Sequence, residues 1–309
     1  MVTFFKCNWI LIIAANISII MNSVVETFGQ NLSTQIAFIS DTQAPMWIED
    51  LFLRNHNNIE ATKILFDDVI KKAPRNIFIL GDVVNLGYKT NRWKSVDKFL
   101  LSTKSHKIPV YAVLGNHELM GNHRRGEYNF QSRFPEHVPS GYVIRIDSVA
   151  IVLLNSNFHK MDSLQIKKQD NWYSSALASL ENDPDVKKIL VCCHHSPYSN
   201  SRLVGSNYLV QEKFVKPFFQ AQKTKLFLSG HAHLFQHFKK EGKDFLVIGG
   251  GGGLKHPVKS LLMEDESKGY APLFHYLLIE LHGSLLKNTS RKIKTDFTGF
   301  EDGYSFIIN

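Results

Sequence analysis

Short apolar runs recur from residue 36 onward, and most are followed at once by glycine or a polar group. Ile36–Ile39, Asn76–Leu80, Val110–Leu114, Ile189–Cys193 and Lys225–Leu228 read as buried strands of the parallel-sheet type. Between the first two, Asn58–Lys72 sets Ile59, Ile64, Leu65, Val69 and Ile70 at helical spacing, and Pro74 stops the helix. Trp93–Leu101 repeats that spacing with Trp93, Val96, Phe99 and Leu100. Strands alternating with helices predict βαβ units and a mainly parallel sheet. Tyr142–Ile146 and Val149–Leu154 predict an antiparallel pair turning at Asp147-Ser148. Gln165–Leu180 and Tyr208–Ala221 predict helices, with Pro217 a break in the latter. Phe245–Ile248 and Phe274–Leu281 are expected to close a second sheet. Gly121–Ser140, polar and carrying Arg124, Arg125 and Arg133, reads as a long loop, as does the stretch from Pro197 to Ser206. No repeat, low-complexity tract or linker divides the chain, so 30–309 is expected to form a single domain.

Five predicted strands end on chemistry. Ile39 leads into Ser40-Asp41-Thr42-Gln43, Leu80 into Gly81-Asp82, Leu114 into Gly115-Asn116-His117-Glu118, Cys193 into His194-His195, and Leu228 into Ser229-Gly230-His231-Ala232-His233. Ligand sites of open α/β sheets gather at that carboxyl edge. One polar strand end is commonly a satisfied turn. Five that deliver carboxylate, amide and imidazole suit divalent metals, and are too many for one tetrahedral ion.

Taken in order, Asp41-Thr42-Gln43, GDVVN, GNHE, HHSPYS and GHAH resemble the calcineurin-like metallophosphoesterase superfamily. Its pattern is D-x-H, G-D-x-x, G-N-H-D/E, H, G-H-x-H. The resemblance implies an α/β fold, a four-layer α-β-β-α sandwich of two mixed sheets flanked by helices. It also implies two divalent cations (Mn, Fe, Zn or Mg) that activate the water attacking phosphorus in line. Asp82 matches the bridging carboxylate. Asp41 and His233 match ligands of the first ion. Asn116, His231 and one of the 194–195 pair match ligands of the second, with His194 preferred over His195. His231 and His233 are expected to alternate along an extended segment and so point to one face. His117 matches the family's acid or charge stabiliser. His195, Tyr198 and Arg125 are candidates for substrate contact, and Glu118, assigned no catalytic role, is expected to orient a loop group or cap a helix.

Two positions depart from the family. Gln43 stands where histidine is usual, and either ligates the ion through its amide oxygen or hydrogen-bonds a water on it. As a ligand, its harder oxygen would favour Mn²⁺, Mg²⁺ or Ca²⁺ over Zn²⁺. Asn85 stands where purple acid phosphatases carry a tyrosine ligand, so no purple Fe³⁺ centre is expected. The function implied is hydrolysis of phosphate mono- or diesters. A non-catalytic binding protein on this fold is one alternative, and hydrolysis of nucleotide pyrophosphates or sphingolipid headgroups is another. The glycines of Gly249–Gly253 lack the Lys-Ser/Thr of a P-loop and read as a flexible turn, the alternative being close backbone approach to a ligand or a phosphate cradle.

Charge and cysteine usage add limits. The net charge is +8, with no Lys/Arg block or basic stripe interleaved with aromatics. A small phosphorylated substrate therefore fits better than nucleic acid, and a monomer is expected. Lys6 followed by the uncharged Cys7–Val25, with Thr27-Phe28-Gly29 beyond, reads residues 1–29 as a signal peptide, so the protein is expected to be secreted or periplasmic. A membrane anchor outside the cytoplasm is the competing reading, and membrane contact is expected only if 7–25 remain attached. Beyond Cys7 only the adjacent Cys192 and Cys193 remain, read as small hydrophobes in a buried strand rather than a bridge.

Overall fold

The computed structural model describes residues 34–54, 57–259, 262–283 and 285–309. Gln35–Asn309 form one compact unit. The stretch 1–29, read as a signal peptide or anchor, lies outside the described residues. Among the described residues no helix is long and apolar enough to cross a membrane.

Among the described residues, twelve strands form two six-stranded sheets. The first contains β1 (Thr34–Ile39), β2 (Asn76–Ile79), β3 (Val110–Ala112), β10 (His275–His282), β11 (Leu285–Ile293) and β12 (Phe300–Ile308), in the order β12-β11-β10-β1-β2-β3. The second contains β4 (Tyr142–Ile146), β5 (Val149–Leu153), β6 (Lys188–Cys192), β7 (Thr224–Ser229), β8 (Phe235–Lys240) and β9 (Lys243–Ile248), in the order β4-β5-β6-β7-β9-β8. Strands β1, β2 and β3 run parallel, as do β5, β6, β7 and β9, while β4, β8, β11 and β12 pair antiparallel. The helices are α1 (Trp47–Phe52), α2 (Asn58–Lys72), α3 (Lys94–Ser105), α4 (His123–Gln131), α5 (Ser163–Asn182), α6 (Tyr208–Val210) and α7 (Lys216–Gln220).

Side-chain alternation along the strands builds three apolar layers. Ile36 and Phe38 of β1 meet Leu190, Leu226 and Leu228 between the sheets. Ala37 and Ile39 of the same strand face outward onto Leu65 and Val69 of α2. Across the second sheet, Val152, Val191 and Phe227 pack on Tyr173 and Leu177 of α5 and on Phe214 and Phe218. Helix, sheet, sheet, helix is the layering the resemblance implies.

Several elements differ from expectation. Phe245–Ile248 and Phe274–Leu281 do not close one sheet together, since β9 belongs to the second and β10 lies beside β1 in the first. The stretch Gly121–Ser140 is not wholly loop. Asn122 accepts a bond from the Arg125 N–H and caps α4, whose Phe130 enters the core with Phe134 beyond it. Few apolar residues mark this helix because most of its surface faces solvent. Strands β8, β11 and β12 carry polar residues and are additional to the strands expected from apolar runs. In β11, Arg291 is buried because Asp68 and Asp302 pair with it, at 3.1 and 2.6 Å. The break expected at Pro217 is a π-helical turn, Gln211–Val215, between α6 and α7.

Candidate metal centre

The five strand ends converge. Asp41 follows β1, Asp82 follows β2, Asn116 and His117 follow β3, His194 follows β6, and His231 and His233 follow β7. Asp82 lies at the middle. Its Oδ2 is 3.2 Å from His194 Nε2 and 3.8 Å from His117 Nε2, and its Oδ1 accepts the His117 N–H at 2.9 Å. His194 Nε2 also lies 3.0 Å from Asn116 Oδ1. Asp41 Oδ1 is 3.5 Å from His233 Nε2, and both Asp41 oxygens accept the His231 N–H.

The backbone is held in costly conformations to achieve this. Asp41, Asp82 and His231 have φ of 58°, 48° and 65°, the left-handed region that non-glycine residues usually avoid. Gly115 makes the close approach possible, since a Cβ there would stand 2.1 Å from the Asp82 nitrogen. Glu118 fixes both turns. Its Oε2 accepts from the N–H groups of Asp82 (3.0 Å) and Gly115 (2.8 Å), and its Oε1 from those of Val83 (2.8 Å) and Val84 (3.1 Å). Burial and the charge of Asp82 push its carboxyl up to about 7, while the N–H groups and His194 pull it down.

The electrostatics favour a carboxylate among imidazoles. Burial alone would raise Asp82, but His194, His117 and His231 outweigh it and hold the carboxyl below its ordinary value. Burial lowers His117, and the charge of Asp82 reverses this and raises it. Burial and the neighbouring His194 push His195 down to about 3; burial, His195 and His194 hold His231 far below its ordinary value. Both rings are therefore neutral at pH 7, the form that ligates metals.

The donor set fits metal. His194 Nδ1 is 2.9 Å from the Leu80 carbonyl and His233 Nδ1 is 2.8 Å from that of Leu254, so Nε2 is the ring nitrogen each turns inward. Gln43 is buried. With its amide nitrogen donating to the main-chain oxygens of Asp41 (3.1 Å) and Asp82 (2.9 Å), its oxygen faces His233 Nε2 at 3.2 Å. His233 Nε2 donates to that oxygen, and a cation taking the proton's place would meet a lone pair from each. Among the described residues, Asp41, Asp82 and His194 offer ligand atoms within 4.8 Å of one another, and so do His194, His195 and His231.

His231 and His233 reach the centre differently from expectation. The segment is a pair of tight turns, with Ala232 N–H bonded to Gly230 O and Leu234 N–H to Ala232 O. The two rings consequently serve different partners. His231 packs on His194 and His195, with ring centroids 5.0 and 4.4 Å away, whereas His233 meets Asp41 and Gln43. His195 is joined to Ser156 Oγ through Nδ1 at 2.8 Å. Tyr198 is not brought into the cluster: its ring packs on Phe238 and Phe245. Arg125 is not brought in either, and lies exposed on α4 with its guanidinium over Tyr128.

Glu118, expected to orient a loop group or cap a helix, orients two turns at once. Two features escaped the sequence reading. After β5, Asn155-Ser156-Asn157 forms a further polar strand end, in which Asn157 donates to the Leu114 carbonyl and Ser156 holds His195. The same strand-end signal would have found it. His256 stacks on His233 with centroids 4.2 Å apart, and no local signal marks it. The Gly249–Gly253 run is buried rather than a flexible turn, because a Cβ at Gly253 would strike the His233 ring at 2.2 Å and one at Gly250 would strike His275 at 2.1 Å.

Fold and site together define a phosphoesterase architecture. The sequence profile of the calcineurin-like phosphoesterase family matches residues 34–235, and the chain belongs to that family. It is 24% identical over 219 residues to the type 5 tartrate-resistant acid phosphatase of Homo sapiens, covering 64% of this chain and 65% of that one. Among solved structures it resembles the purple acid phosphatase PPD1 of yellow lupin (Lupinus luteus) seeds, with TM-score 0.66 and 17% identity, over 91% of this chain and 54% of that one. It also resembles GAP50, described as the anchor in the inner membrane complex of Plasmodium, with TM-score 0.65 and 16% identity, over 90% and 89% of the two chains. The chain thus spans about two-thirds of the human relative and about half of the lupin one.

Proposed function

We propose that the chain hydrolyses phosphate mono- or diesters at a centre of two divalent cations. Asp41, Gln43 and His233 hold one, Asn116, His194 and His231 hold the other, and Asp82 is shared. Bound there, the cations supply Lewis-acid stabilisation and lower the pKa of a water toward about 7. The observation that carries the reading is Asp82 itself, a buried carboxylate with His194 and His117 facing it and four N–H groups pinning the turns around it through Glu118. His194 is favoured over His195 as ligand because it alone of the two shares Asp82 and Asn116.

His117 handles the proton. Its Nδ1 is 3.0 Å from the Asn85 carbonyl, which leaves Nε2 as the atom turned to the centre. With its pKa raised by Asp82, the ring can present a proton there to a leaving oxygen or to charge developing on phosphorus. His117→Ala is expected to keep both cations and to lose about 10²–10⁴-fold in kcat. Elemental analysis beside assays of p-nitrophenyl phosphate and its bis ester checks this, and unchanged turnover would remove His117 from the reaction. A wild type that binds two cations yet hydrolyses neither ester would replace catalysis with binding.

The amide of Gln43 gives a second test. Gln43→His is expected to raise Zn²⁺ affinity at the first position, and Gln43→Ala to weaken binding of every divalent ion there. Chelator competition reads both. Identical affinities in wild type and both variants would assign Gln43 to a bound water instead.

A further inference from the structure

We infer that the rim formed by α1 and its neighbours docks onto anionic membrane surfaces. Helix α1 has no buried residue. Trp47, Ile48, Leu51 and Phe52 stand at i, i+1, i+4 and i+5, which places them on one face of the helix. They are 73, 45, 67 and 80% exposed, and Ile59 at the start of α2 is 72% exposed. Large apolar side chains so concentrated on a soluble surface mark a contact site. The acidic residues lie on the other side of the helix, and Glu49 is bonded back to the Met46 N–H at 2.7 Å.

This face stands beside the metal centre. Only Ala44-Pro45-Met46 separates Gln43 from α1, and the Pro45 carbonyl lies 3.5 Å from Asn85 Nδ2. Next to it, a groove of about 1140 Å³ opens between α2 and α3. Lys63, Arg92, Lys94 and Lys98 line the groove against Asp50, Glu60 and Asp67, and exposed Arg54 follows the helix. With Glu49 counted, five cations stand against four acids here, and the whole chain carries +8.

Charge and shape choose the occupant. A second copy meeting this face across a two-fold axis would bring the same cations together from both molecules. A six-residue helix with no buried residue turns its four large apolar side chains outward, which a deformable interface accepts. Trp and Phe favour the headgroup level of a bilayer, and lysine and arginine around them favour anionic lipid. The inference concerns attachment and stands whatever ester the centre hydrolyses.

The test uses the full chain carrying Trp9→Phe, in which Trp47 is the strongly exposed tryptophan. It is mixed with phosphatidylcholine vesicles with and without phosphatidylserine. Expected are co-sedimentation with the phosphatidylserine vesicles, a blue shift of tryptophan emission quenched by brominated acyl chains, and release by added salt. Trp47→Asp/Phe52→Asp should lose at least about tenfold in partitioning, from two apolar side chains no longer inserted. Its melting temperature should not change, because neither side chain is buried. Equal binding by this variant would assign attachment to another segment, such as residues 7–25, and overturn the inference. So would absence of binding to either vesicle, or a dimer that the same variant converts to monomer.

Discussion

Asp82→Asn is expected to bind at least one of the two cations more than about 100-fold less tightly, and to lose measurable hydrolysis with it. The magnitude is bounded from below by the 10–100-fold that changes behind a metal ligand cost, since in the proposed centre Asp82 would touch both ions itself. The substitution separates charge from structure. An asparagine Oδ1 can still accept the His117 N–H that Asp82 Oδ1 accepts at 2.9 Å. The other end of the amide would then present N–H to His194 Nε2, where Asp82 Oδ2 now lies at 3.2 Å. The fold should therefore persist while the centre fails. Elemental analysis, chelator competition and the two p-nitrophenyl assays read the outcome together. A variant that keeps both ions at wild-type affinity and turns over normally would remove Asp82 from the bridging position and the two-cation proposal with it.

Glu118→Gln is expected to lower the melting temperature by about 10 °C and to weaken cation binding. The cause lies in four main-chain N–H groups that converge on one buried carboxylate, two on each oxygen. An amide can offer only one oxygen. Its nitrogen would face two N–H donors, leaving both without an acceptor. Each buried donor left unpaired costs about 1–3 kcal/mol, so the pair costs about 2–6 kcal/mol. At roughly 2–4 °C per kcal/mol for a domain of this size or somewhat smaller, that gives the stated shift. The turns that suffer are those carrying Asp82, with its φ of 48°, and Gly115. Differential scanning calorimetry with and without divalent ions is the measurement. A variant melting within about 2 °C of wild type would show that Glu118 is not what holds the two turns together.

What the chain determines by itself is the set of strand ends. Parallel strands buried on both faces need continuous apolar runs, so β1, β2, β6 and β7 are legible, and their polar ends follow directly in sequence. Residues of the centre on four of its strand ends, Asp41, Asp82, His194 and His231, could thus be read before any fold was known. The antiparallel pair β4–β5 was legible too, but β8, β11 and β12 were not. Arg291 can be buried in β11 only because Asp68, far away in sequence, and Asp302 of β12 pair with it. Likewise α4 is a helix because Asn122 caps it and Phe130 finds a distant core. Which atoms meet was also decided only in three dimensions. Local spacing predicts that His231 and His233 share a face, whereas a left-handed His231 in a tight turn sends them to different partners. Nothing near Glu118 in sequence marks it as the acceptor for the GDVV turn. That role exists only because β2 and β3 lie side by side, so that two turns more than thirty residues apart close on one carboxylate. Apolar periodicity is a local property set by each residue's own burial, while hydrogen-bond partners and backbone strain depend on which strands become neighbours.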